Sequence, residues 1–207
     1  MVYNIYEILI MTAVISFLGF LLEKTWLACT KGFVDNRNMG LPFLLGYGVL
    51  VTGMYGLMGT PAEMVICGIF RIKLTERAKL VLYFCLSFLI VSIGEITLGT
   101  LVERHTGICY WDYNWIPMHI TQYTSVPTSM GFAGIITLFM DKAFVPIMTA
   151  IQSIEPDDMR SGGIVLTSLM VLDMLVSFKH MYTTKRLNVR WRYEIKARKL
   201  ITVKSGR

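Results

Sequence analysis

Three glutamates stand out because of what surrounds them. Glu23, Glu95 and Glu103 each lie within, or at the end of, a long apolar run. An ionisable group in such a setting is costly, and it usually faces a bundle interior or a wet cavity. Glu95 precedes Glu103 by eight residues. On a helix that is about 12 Å along the axis and about 80° around it. The two therefore share a broad face, with Gly99 between them. Glu95 has two readings: a hydrogen bond to a neighbouring helix, or a ligand site. Glu23 and Glu103 sit at helix ends, where a solvated or capping role competes with ligand binding. A carboxylate at a helix C-terminus opposes the macrodipole and needs a cationic or donor partner. Arg37 and Arg104 are candidates for that partner.

Other chemistry is poorly represented. No G-x-x-x-x-G-K-[ST], H-E-x-x-H or G-x-S-x-G motif occurs, and His105, His119 and His180 are scattered in or near loops. Cys29, Cys67, Cys85 and Cys109 show no CxxC spacing and no adjacent histidine cluster. The expectation is a non-enzyme with no metal and no cofactor, and Cys85, in an apolar run, is expected to pack as a small hydrophobe. Two loops remain of interest. Asp35-Asn36-Arg37-Asn38-Met39-Gly40-Leu41-Pro42 is polar and then rigid, and Pro42 suits a helix opening. Tyr110-Trp111-Asp112-Tyr113-Asn114-Trp115 is aromatic. An aromatic belt at a membrane interface is its default reading. Asp112 within it is less expected there, and could orient a ligand or pair with Arg37.

The elements that position these residues are membrane helices. Hydrophobic residues make up 54% and charged ones 16% of the 207 residues, against roughly 25% charged in ordinary globular chains. Mean hydropathy is +0.55. A spanning helix needs roughly 20 mostly apolar residues, and five candidates are present: 5–22, 41–58, 79–102, 127–151 and 162–178. Asp141 and Lys142 lie inside the fourth, and Asp173 inside the fifth. The segment 61–70 is about half the needed length and reads as interfacial or re-entrant. The expected fold class is an all-α membrane protein of about five transmembrane helices. The net charge of +6 comes mainly from the tail, since ten of the twenty Lys and Arg residues lie between Lys179 and Arg207. Leu187, Trp191 and Ile195 recur every four residues there, which reads as a helix on an anionic surface, with a solvated tail as competitor. Lys24, Lys31, Arg37, Arg104 and the tail share one face, while Arg71, Lys73, Arg77, Lys79 and Arg160 share the other. The positive-inside rule puts the C-terminus in the cytoplasm, with the cluster at 71–79 arguing the other way. Membrane lipids are expected partners and nucleic acid is not.

Two echoes indicate an internal repeat. Leu18-Gly19-Phe20-Leu21-Leu22-Glu23-Lys24 matches Leu98-Gly99-Thr100-Leu101-Val102-Glu103-Arg104 as L-G-x-L-[LV]-E-[KR]. Pro42-x-x-x-Gly46-Tyr47-Gly48 matches Pro127-x-x-x-Gly131-Phe132-Ala133. Two tandem helical hairpins, about 5–58 and 79–151, form a core over 1–151, followed by an extra helix (152–178) and a basic cytoplasmic tail (179–207). Related by an axis along the membrane normal, the hairpins place Glu23 and Glu103 on one face.

At these residues the chain resembles the ABC-transporter type IV, permease-like membrane protein family, which takes in the transmembrane protein 229 group. The resemblance rests on Gly19-Phe20-Leu21-Leu22-Glu23, Asn36-Arg37-Asn38, Leu41-Pro42 with Gly46-Tyr47-Gly48, Glu95, Glu103 and Trp111-Asp112-Tyr113. It covers roughly residues 8 to 150, and the fifth span with its tail looks added. It implies a permease-like subunit in the cell membrane for a small polar or charged solute. Its ligand-binding residues would be Glu23, Arg37, Asn38, Tyr47, Glu95, Glu103, Trp111, Asp112 and Tyr113. Coupling to ATP would need a separate ATPase subunit, and a homo-oligomer fits the small number of spans. The competing expectation is a non-transporting regulator or assembly partner that binds lipid headgroups or another membrane protein.

Overall fold

The computed structural model describes residues 3–37 and 40–195; the side chains of 36, 37, 40–45 and 190 lie outside the described set. The element order is α1 (Ile5–Lys31), β1 (Phe33–Arg37), α2 (Gly40–Met58), α3 (Val65–Ile69), α4 (Glu76–Thr106), β2 (His119–Thr121), β3 (Thr124–Ser125), α5 (Val126–Lys142), α6 (Phe144–Gln152), α7 (Pro156–Thr184) and β4 (Val189–Glu194). Among the described residues α1, α4 and α7 are long and apolar enough to cross a membrane, and α5 with α6, bent by 49°, is apolar enough only when the two are taken together as a broken span or a re-entrant loop. The chain is a helical, multi-spanning membrane protein.

The helices outrun the apolar stretches that announce them. α1 continues nine residues past Leu22 and stops only at Gly32, whose φ of 69° ends it in a left-handed cap. α4 begins after the Thr75 N-cap and ends at Gly107, φ 73°. α7 starts with Pro156 in its first turn and runs to Thr184. Hydropathy reports the part of a helix that meets lipid, while caps decide where the helix stops. The expected straight span 127–151 breaks at Ala143. Pro146 explains the break, because its ring clashes with the carbonyl four residues back, that of Lys142. Asp141 and Lys142 pair at that corner, Oδ2 to Nζ 2.7 Å.

Two short segments lie outside the long helices. The piece at 61–70 yields only the five-residue α3, too short to span. Residues 189–194 form a strand, not a helix: β4 pairs antiparallel with β1, with Asp35 opposite Arg192. A spacing of four residues puts side chains on one face of a helix, but it is also even, so it suits a strand equally. Val189, Trp191 and Tyr193 favour the strand. The tail beyond Ile195 lies outside the described residues.

Packing follows from small residues and paired hydroxyls. Thr12 donates to Thr52 at 3.3 Å, and Gly48 abuts Ser16 and Thr12. Positions rise by four on α1 while they fall by four on α2, so the two helices are antiparallel. Gly94 meets Leu50 and Gly46 meets Leu98, which sets α4 antiparallel to α2. α5 packs against α4, and α7 against α1 and α2. One end of the bundle holds the start of α1, the end of α2, α3 and the starts of α4 and α7. Gln152 to Glu7 (3.3 Å) and Lys79 to the Ala62 carbonyl (3.0 Å) tie this α3 end together. The opposite end carries both strand pairs, and Val102, Tyr110 and Met181 close it.

Candidate functional site

The strand end gathers the polar groups. Glu95, 9% exposed, lies on the buried face of α4 with Ser92, Gly99, Val102 and Thr106. Its carboxylate accepts from the Thr124 hydroxyl at 2.6 Å and from Ser129 at 3.4 Å. Those donors are placed by the β3–α5 junction. Ser125 caps α5 in a reciprocal pair with Thr128, with Pro127 in the first turn. This fixes Thr124 just before the helix and Ser129 one turn inside it, both facing α4.

Two turns along α4, Glu103 accepts from the Tyr123 hydroxyl and from the Gln122 amide at 2.9 Å. Gly99 makes room for this contact, because a methyl there would overlap the Tyr123 ring. The Trp111 indole donates to the Tyr123 carbonyl at 2.8 Å, and the Tyr113 amide donates to the Gln122 carbonyl at 2.8 Å. The aromatic loop is thus strapped onto the β2–β3 hairpin. Trp111 lies edge-on to Tyr123, with ring centroids 5.9 Å apart. The partners of Glu95 and Glu103 among the described residues are neutral hydroxyls and an amide. Arg104 points outward and is exposed.

Glu23 joins this group from α1. Tyr113 is largely buried, which pushes its phenol well above the ordinary tyrosine range, and the carboxylates of Glu95 and Glu23 add to the shift. Tyr113 is therefore a neutral phenol within electrostatic reach of both acids. Tyr47 of α2 interacts electrostatically with Tyr113, Glu23, Glu95 and Tyr110. It stacks on Phe132 at 5.8 Å. Cys109 stands at the rim, where partial burial and then the charges of Glu103 and Asp112 raise its thiol above the usual value.

Six of the nine anticipated residues thus converge: Glu23, Tyr47, Glu95, Glu103, Trp111 and Tyr113. Asp112 does not join them. It is exposed, and its carboxylate accepts from the Asn114 amide at 2.8 Å, which makes it a turn residue. Asn38 and the Arg37 side chain lie outside the described residues. The cation beside the first motif is Lys24, whose Nζ lies 3.8 Å from the fully buried Asp35, itself 3.7 Å from Arg192. Sequence reasoning passed over Thr124, Ser129, Gln122 and Tyr123. The run Thr124-Ser125-Val126-Pro127 is a helix-start signature, and it was the available signal.

Against known proteins, the family described as Putative ABC-transporter type IV matches residues 10–178. No curated protein and no solved structure matches.

Proposed function

The chain belongs to that ABC-transporter type IV family, and from this premise we propose that it is a permease-like subunit that passes a small, positively charged or proton-donating solute. The observation that carries the reading is the pair Glu95 and Glu103. Among the described residues both are held by neutral donors, and Glu23 and aromatic side chains stand beside them. A carboxylate desolvated without a cation has negative potential to offer, and aromatic faces extend the attraction to cations.

Five crossings complete the proposal, with α2 counted as a span and α5–α6 as one. The C-terminus and the strand end then face the cytoplasm of the cell membrane. The two hairpins, α1–α2 and α4–α5, are read as repeats. Each carries the glutamate motif in the second half of its first helix and reaches its second helix through strand structure. ATP coupling falls to a separate subunit, and a second copy of the chain is the expected neighbour in the bilayer.

Proteoliposomes tested for currents with sodium, potassium, ammonium, choline and proton gradients check this reading. At least one gradient should drive a current that Glu95→Gln reduces at least tenfold. Currents unchanged by Glu95→Gln and Glu103→Gln would contradict it.

A second reading is supported by α7. Its apolar window is only 11% buried, and it exposes Leu169, Leu172, Leu175 and Val176. A non-transporting regulator that docks another membrane protein on this helix would co-purify with its partner and carry no current.

A further inference from the structure

The basic cluster at 71–79 has no part in the site above, which lies at the other end of the bundle. Its members are not equivalent. Lys79 is committed, with Nζ 3.0 Å from the Ala62 carbonyl and 2.7 Å from Glu76. Arg77 instead borders a shallow, open apolar groove along the outer face of α4, formed with Leu74, Ala78, Val81, Leu82 and Cys85. Cys85, expected to pack as a small hydrophobe, is exposed and turned outward into the groove. Eight residues separate Arg77 from Cys85, about 12 Å of helix. The exposed stripe continues through Leu89 and Ile93.

The segment leading to the groove has the character of an interface. Ile69, Phe70 and Ile72 are exposed large apolar residues, interleaved with exposed Arg71 and Lys73. Apolar side chains that enter the acyl boundary beside cations at headgroup level are what membrane-surface elements display.

We propose that this groove is a binding site for one anionic phospholipid, with the headgroup phosphate on Arg77 and one acyl chain along Ala78, Val81 and Cys85. The guanidinium presents a fork that suits a phosphate. The first turn of the 31-residue α4 adds the positive end of its dipole. The groove floor offers a chain contact but no polar group. The cluster at 71–79 then marks a lipid anchor at the α3 end, which accounts for its position opposite the other cations.

The full chain, purified in detergent and titrated with phosphatidylglycerol or phosphatidylcholine, tests this by native mass spectrometry. One phosphatidylglycerol should be retained in preference to phosphatidylcholine. Arg77→Gln should weaken that retention about fivefold, as expected for one basic contact with anionic lipid. Arg77→Lys should keep most of it. Ala78→Trp, which fills the groove and leaves the charge, should also weaken it, while Arg160→Gln, a cation at the same end off the groove, should not. Inorganic phosphate should fail to compete, since it lacks the chain. Retention unchanged in Arg77→Gln, or lost to inorganic phosphate, overturns the proposal. No current enters this readout, so it stands or falls apart from the solute site.

Discussion

The two glutamate motifs, one seven residues before the end of α1 and one in the last turn of α4, have surroundings of opposite character. In the first, Lys24 turns inward, lies 4.8 Å from the Phe20 ring centroid, and meets Asp35, which in turn meets Arg192 across the β1–β4 pair. In the second, Arg104 turns outward, and Glu103 is left to Tyr123 and Gln122. The first motif is built into a charge-compensated staple that ties the tail to the bundle. The second meets only neutral donors among the described residues. A single motif thus meets charged partners in one place and neutral donors in another, and what decides is which neighbours the following strand delivers.

The largest effect that would break this comparison is on stability. Asp35→Ala leaves two cations facing an empty position. It should destabilise the protein toward the lower end of the roughly 3–5 kcal/mol seen when a buried pair loses one partner, because Arg192 is half exposed. Unfolding in mixed micelles measures it. A loss below about 1 kcal/mol would place the staple among ordinary surface pairs.

Next come the close contacts. Gly48→Ala sets a methyl 2.5 Å from the Thr12 carbonyl, and Gly99→Ala sets one into the Tyr123 ring. Each should cost about 1–3 kcal/mol as overpacking. They should differ in function: Gly48→Ala destabilises only, whereas Gly99→Ala also moves Tyr123 off Glu103 and lowers transport current. Equal currents after correction for folded protein would erase the distinction.

The smallest effect is a pH dependence. Nearby negative charge favours the protonated thiol, so burial and then Glu103 and Asp112 keep Cys109 short of thiolate. Its alkylation, followed by site-resolved mass spectrometry, should rise with pH well into the alkaline range. Glu103→Gln removes one charge and should speed it by roughly twofold at a given pH, as a partly screened charge does. No change would mean that Glu103 carries no charge beside Cys109.

Much of this was legible in the sequence. Glu23, Glu95 and Glu103 were conspicuous as charges in apolar runs, and that signal is local. The donors to Glu95 were not legible, because Thr124 and Ser129 are 29 and 34 residues away and look like ordinary cap residues until α5 is laid on α4. The strand pair was hidden for the same reason. β1 and β4 are joined only in space, and neither is apolar enough to announce itself. Pro146 was in plain view, but the apolar stretches on both sides of Asp141-Lys142 masked its consequence for the fourth span.

The most direct test is a membrane-embedded experimental structure of the full chain, obtained with the solute that gives the current. Non-protein density should lie within hydrogen-bonding reach of Glu95 or Glu103, on the Tyr113 side, with none at Asp35. Side chains closing fully around Glu95, with density only on the outer surface, would contradict the account.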